Sequence, residues 1–176
     1  MSSEAIMLFT DGACSPNPGP GGYGVILVAA GQRREFSGGF RKTTNNRMEL
    51  FSVIRGLREA QAAGEGPVTV YSDSQYVVSM LNGGHAEQWR QHRWTRNRGK
   101  DPALNPDLWG ELLDLRAGRD VCFVWVRGHA GHAENVRCDE LAVLARQAPN
   151  LPADQGYELP QPPAPAAQMT LAGFFP

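Results

Sequence analysis

Two short stretches decide the fold: IMLFTD at residues 6–11 and VTVYSD at residues 68–73. Each is an apolar run of strand length, rich in β-branched and aromatic residues, that stops at an aspartate. That is the pattern of a buried strand. Between them, Val25–Ala30 and Arg33–Phe40 read as two more strands, joined by Gly31-Gln32 as a hairpin turn. Thr43, Thr44, Asn45 and Asn46 then offer helix N-caps, and Met48, Leu50, Phe51, Ile54 and Leu57 recur at helical spacing until Gly64. The two aspartate-ended strands, with a helix between, can be parallel neighbours through a right-handed crossover.

Outward from this centre, Ser74 caps a helix predicted over 75–81, and Asn105-Pro106 opens another through Leu115. Val121–Val126 reads as the last strand, Gly128–Ala133 as a loop, and Glu134–Arg146 as a final amphipathic helix. The order implies a mixed α/β domain, an antiparallel hairpin on a partly parallel sheet. Proline becomes dense from Pro149 onward, where lysine and arginine vanish. The expected division is a folded domain over 1–148 and a Pro-rich tail over 149–176.

Composition narrows the function. The chain has 176 residues, 41% hydrophobic and 20% charged, with a net charge of −1. Bulk charge therefore does not announce a nucleic-acid binder, and such a site must come from local clustering. Cys14, Cys122 and Cys138 are too few and odd in number for a disulfide framework, and read as free thiols of a reducing compartment. No apolar run approaches the about 20 residues of a membrane span, and the N-terminus lacks the features of a signal peptide. A cytoplasmic location is expected.

Asp11 and Asp73 end neighbouring strands, where open α/β sheets bind their ligands. Glu49 lies near the start of the first helix and Asp139 inside the last, and either could point at the same edge. Clustered carboxylates repel, and burying them together raises their pKa values unless a cation intervenes. Hard cations such as Mg²⁺ answer that need with oxygen ligands and retained waters. The plain alternative is that strand-end aspartates cap helices or solvate loops.

The stretches FTDGAC (9–14), TTNNRMEL (43–50), SDSQYV (72–77) and RGHAGHAENVRCDELA (127–142) occur in that order. Together they closely resemble the bacterial-type ribonuclease H family (type 1), over residues 6–146. The resemblance implies a ribonuclease H-like fold: a five-stranded mixed sheet, antiparallel hairpin plus parallel strands, flanked by helices. It implies a metal-dependent endonuclease that cuts the RNA strand of RNA–DNA hybrids. Two Mg²⁺ ions, with Mn²⁺ as a substitute, would be held by Asp11, Glu49, Asp73 and Asp139. The products would carry 5′-phosphate and 3′-hydroxyl ends. His129 would assist proton transfer or product release, work that suits an imidazole near neutral pH. Asn135 would make a supporting contact.

The resemblance also implies substrate contacts. Cys14, Asn17, Asn46 and Gln75 would read the minor groove, where the 2′-hydroxyl distinguishes RNA from DNA. Lys42, Thr44 and Asn105 would grip a phosphate of the DNA strand, which positions the duplex without reading its sequence. Residues 85–100, HAEQWRQHRWTRNRGK, set five cations against Glu87 alone. That makes a local positive patch, with Arg90 and Arg93 as candidate phosphate contacts. Trp89 and Trp94 read as packing anchors rather than stacking platforms, since a duplex hides its base faces.

Two signals fail on inspection. Gly19–Gly24 spells G-x-G-x-x-G but is followed by a strand rather than a helix, so it is not a dinucleotide loop. His129, His132 and Cys138 lack the compact fourth ligand of a structural zinc site. Finally, residues 168–175 (QMTLAGFF) place Gln168, Leu171, Phe174 and Phe175 in the spacing of a sliding-clamp docking peptide. The alternatives are a single-strand-binding protein as partner, or two phenylalanines that fold back on the domain.

Overall fold

The computed structural model describes residues 4–128 and 132–159. Strands β1 (Ile6–Cys14), β2 (Gly19–Ala29) and β3 (Gln32–Thr43) form an antiparallel meander. Ala30 and Gly31, both at positive φ, make the tight turn between β2 and β3. Helix α1 (Asn45–Ala63) leads to β4 (Val68–Ser72), which pairs parallel with β1. Helices α2 (Gln75–Asn82) and α3 (His85–Gln91) follow, then the two-residue strands β5 (Thr95–Arg96) and β6 (Asp101–Pro102). Helix α4 (Pro106–Arg116) returns to β7 (Val121–Trp125), parallel to β4. Helices α5 (Ala133–Arg146) and α6 (Gln155–Glu158) complete the described chain. The main sheet has five strands in the order β3-β2-β1-β4-β7, the mixed sheet expected.

The sheet separates two helical layers by the alternation of side chains along each strand. Leu8 and Val25 face α1, where they meet Gly56. Gly22 and Gly24, of the opposite parity, face α5. Leu8, Leu50, Val53, Ile54, Leu57, Val70 and Leu112 are buried between β1, β4, α1 and α4. Trp109 is the largest fully buried side chain. Its indole Nε1–H donates to Tyr76 Oη at 3.2 Å, and its ring meets Tyr76 and Trp89 edge-on. Trp89 and Trp94 are partly buried against this core, as the packing reading expected.

Four details depart from the sequence reading. β1 does not stop at Asp11: its parallel partner ends opposite Thr10, but β2 keeps pairing through Cys14. The polar stretch after Gly84 holds helix α3, nucleated against the core by buried Ala86. Asn105 precedes α4 as expected, but at φ 56° and without a capping bond from its side chain. Its Oδ1 instead accepts from Arg47 Nη1 at 3.4 Å. Residues 152–158, which read as the start of a spacer, lie against β3 and α1. Arg41 N–H donates to Pro152 O at 2.9 Å, and Asp154 is 1% exposed.

Candidate active site

Three glycines bring the carboxylates together. A Cβ at Gly12 would overlap the backbone of Met48 and Glu49, so only glycine lets the start of α1 lie against β1. A Cβ at Gly24, the cross-strand partner of Asp11, would overlap the carbonyl of Cys138. That contact sets α5 on the sheet with Asp139 over the strand that carries Asp11. At Gly128 the loop after β7 passes close to the Asp73 carboxylate. The glycine-rich stretch after Ser15 thus serves close packing inside β2, as the rejection of a dinucleotide loop implied.

Asp11 lies on β1 one residue beyond the last pair with β4, and Asp73 directly follows β4. Glu49 is one turn into α1 and Asp139 midway along α5. The Asp11 carboxyl is pushed up to about 8. Burial is the main cause, followed by the negative charge of Asp73, with Asp139 and Glu49 adding to it. The Gly12 N–H, which donates to Asp11 Oδ1 at 2.7 Å, opposes the shift. Burial likewise raises Glu49, against hydrogen bonds from Ser74 Oγ and from Asn45 Nδ2, the latter at 2.8 Å. Ser74 does double duty, since its Oγ also accepts the Val77 N–H and caps α2. The Trp125 indole donates to Asp73 O at 3.0 Å and ties β7 to the site.

Four acids therefore share one sheet edge with their charges unfavourable to one another, an arrangement that a cation relieves. Among the described residues no three carboxylate, imidazole or thiol groups form a ready-made metal cage. Mg²⁺ commonly takes one or two carboxylates and completes its shell with water and substrate phosphate. The donors are all oxygen, so the residues present fit a hard divalent ion.

The other predicted residues distribute around this edge. Cys14 Sγ lies 3.3 Å from Pro16 O and 3.5 Å from both Gly19 O and Thr43 O. Asn17 Oδ1 accepts the Asn45 N–H at 3.2 Å, which brings the loop after β1 against Asn46 at the start of α1. Gln75 begins α2 and is exposed. Lys42 is exposed on β3, and Thr44 caps α1 by accepting the Arg47 N–H at 3.3 Å. Arg90 pairs with Asp114 at 2.7 Å on the outer face of α3 and α4. Arg93 is exposed at φ 55°. Asn135 is 3% exposed, and its buried Oδ1 has no hydrogen-bond partner among the described residues. His129 lies outside the described residues, as do Gln168, Leu171, Phe174 and Phe175. The sequence reading passed over Arg47 and Asp154. Arg47 stands inside the TTNNRMEL stretch, but its burial is visible only in the fold.

The chain belongs to the RNase H family, whose model matches residues 3–147. It is a bacterial-type, type 1 member and therefore a nuclease. It is 54% identical over 153 residues to ribonuclease H of Trichodesmium erythraeum, covering 87% of this chain and 96% of that protein. It is 56% identical over 151 residues to ribonuclease H of Desulforamulus reducens, covering 86% of this chain and 93% of the relative. Among solved structures it resembles LC9-RNase H1, described as a type 1 RNase H with the type 2 active-site motif. The TM-score is 0.71 at 34% identity, over 83% of this chain and 74% of that one. It also resembles LC11-RNase H1 in complex with an RNA/DNA hybrid, with a TM-score of 0.61 at 28% identity over 80% of this chain and 95% of the other.

Proposed function

We propose that the chain hydrolyses the RNA strand of RNA–DNA hybrids at the edge built by Asp11, Glu49, Asp73 and Asp139, leaving 5′-phosphate and 3′-hydroxyl ends. The observation that carries this reading is the Asp11 carboxyl, half-buried among the other acids and raised to about 8. A site that holds its acids in mutual repulsion is built for a cation rather than for packing. Bound Mg²⁺, or Mn²⁺ in its place, would supply a water nucleophile at neutral pH and stabilise the leaving oxygen. The four carboxylates hold and orient that charge, and His129 moves a proton or releases product.

Around the edge, Cys14, Asn17, Asn46 and Gln75 test the minor groove for the 2′-hydroxyl. Lys42, Thr44 and Asn105 hold a DNA-strand phosphate, and the segment of Arg93 extends the grip along the duplex. Arg90 exchanges its surface pair with Asp114 for a phosphate when the duplex arrives. The reading includes removal of RNA primers and R-loops in the cytoplasm, in keeping with free thiols at Cys14, Cys122 and Cys138. It also includes recruitment by the 168–175 peptide to a sliding clamp or a single-strand-binding protein. The test is cleavage of a labelled hybrid with Mg²⁺ beside single-stranded RNA, duplex RNA and duplex DNA, for the parent and Asp11→Asn. Hybrid-only cleavage that Asp11→Asn abolishes supports the reading. Binding without cleavage, or cutting of duplex DNA, refutes it.

A further inference from the structure

The segment 150–159 is more than the end of a domain. Arg47 is 2% exposed and Asp154 1% exposed, so a full ion pair is buried under this segment. Arg47 Nε donates to Asp154 Oδ2 at 2.6 Å and Nη2 to Asp154 Oδ1 at 2.8 Å. Nη1 and Nη2 reach Asp107 Oδ1 and Oδ2 at 3.0 and 2.8 Å, and Nη1 reaches Asn105 Oδ1 at 3.4 Å. These bonds occupy every N–H of the guanidinium. A methyl group at Gly156 would run into both Asp107 and Arg47, so the segment must pass them as bare backbone. Burying such charges costs about as much as their attraction returns, so stability alone is a poor reason for the arrangement.

Further contacts fall on the end of β3, where its register with β2 shifts. Thr43 Oγ1 donates to Asp154 Oδ2 at 2.6 Å, and Arg41 pairs with Glu158 at 2.9 Å while its N–H holds Pro152 O. Residues 41 and 43 are thus engaged by the C-terminal segment, and the intervening Lys42 is exposed beside Glu158. Thr44 uses its oxygen as acceptor for the cap and keeps its hydroxyl proton to donate. Asn105, held at φ 56° with its Oδ1 on Arg47, also bonds Tyr76 through its amide, which leaves one amide proton to donate. An ammonium, a hydroxyl and an amide, all donors, thus flank the frame that Asp154 fixes.

We propose that residues 150–159 form a clip that belongs to the substrate-binding apparatus. Asp154 is a positioning residue that, through Arg47 and Thr43, holds Lys42, Thr44 and Asn105 in the geometry that takes a DNA-strand phosphate. This rests on the phosphate pocket named above. The clip orders donors that would otherwise be ordered only when the duplex binds.

The test is hybrid binding in EDTA across a salt series for the full-length chain, Lys42→Ala, Asp154→Asn, Glu158→Gln and the Lys42→Ala/Asp154→Asn double variant. Steady-state cleavage and melting temperatures accompany it. Lys42→Ala should weaken binding and lower the salt slope by about 1. Asp154→Asn should weaken binding about threefold to tenfold, through KM with little change in kcat. The double variant should lose less than the product of the two single losses, a coupling that a merely structural role would not produce. Glu158→Gln removes the pair with Arg41 and a negative charge beside Lys42, keeps the fold, and should still weaken binding with the same coupling at smaller size, where loss of that charge alone would strengthen it. It carries the test if Asp154→Asn does not fold. Parent-like binding by the clip variants, or losses that multiply with that of Lys42→Ala, overturns the clip while leaving the pocket. Parent-like binding by Lys42→Ala itself removes the pocket and the proposal with it.

Discussion

Replacing Asp11 by asparagine should stabilise the metal-free protein while destroying its activity. The carboxyl is pushed up to about 8 in the fold from an ordinary value of 3.8, so the folded chain binds this proton more tightly than the unfolded chain. Stability from this group is present in full below pH 4 and is lost as pH rises toward 8. At pH 7 the loss spans the interval from 3.8 to 7, an upper limit of about 4 kcal/mol at 1.36 kcal/mol per unit. Water entering an open sheet edge reduces this, and about 1–3 kcal/mol is the expected gain from Asp11→Asn. The substitution keeps the shape, and its Oδ1 can still accept the Gly12 N–H. For a chain of this size the gain corresponds to about 3–10 °C in melting temperature. The assay is thermal unfolding in EDTA from pH 4 to pH 9 for both proteins. The gap should be small at pH 4, widen to pH 8, and narrow again when Mg²⁺ binds and stabilises the parent. A variant no more stable than the parent at pH 8 in EDTA would refute the repulsion argument, whatever its activity.

Two further outcomes follow from the same geometry. Gly24→Ala forces α5 off the sheet at Cys138 and should cost about 1–3 kcal/mol by overpacking. It should also lower cleavage by displacing Asp139, read as a drop in melting temperature together with kcat. Ser74→Ala removes both the cap of α2 and a hydrogen bond to Glu49. It should cost about 1 kcal/mol of stability. The Ser74 bond holds the Glu49 pKa down, so its loss raises that pKa and moves the acid limb of the pH–activity profile to higher pH.

What was legible in the sequence was what depends on local pattern. IMLFTD and VTVYSD gave neighbouring parallel strands because both are apolar runs of strand length ending in an aspartate, although only alternate positions are fully buried and Met7 is exposed. Ser74 and Gly64 marked helix ends because caps are local chemistry. The role of Gly12 and Gly24 was not legible, because each is defined by a helix that arrives from far along the chain. The same holds for Arg47 with Asp154, which are 107 residues apart. Composition marked Pro149 as the start of a spacer, but one aspartate and one glycine beneath the prolines suffice to pin the segment to α1. Composition reports average solvation, whereas a buried ion pair is a single specific contact.

The net charge of −1 is a poor guide to this surface for a related reason. Arg33, Arg41, Arg47, Arg55, Arg58, Arg90, Arg116 and Arg137 each have a carboxylate partner. Much of the positive charge is therefore spent inside the protein, joining β3 to α5 through Arg33 and Glu134 or α1 to the C-terminal clip through Arg47. Among the described residues, Arg93, Arg96, Arg98 and Lys100 form no ion pair, and they sit together on the stretch around β5 and β6. Counterions gather where charge is unpaired, not where it is merely present, and their release drives duplex binding. The chain thus carries 18 acids against 17 bases over its whole length, sets four of those acids at one sheet edge, and still leaves four cations unpaired around β5 and β6. Under the function proposed above, this arm of unpaired cations attracts the duplex and the acids admit it only alongside a metal.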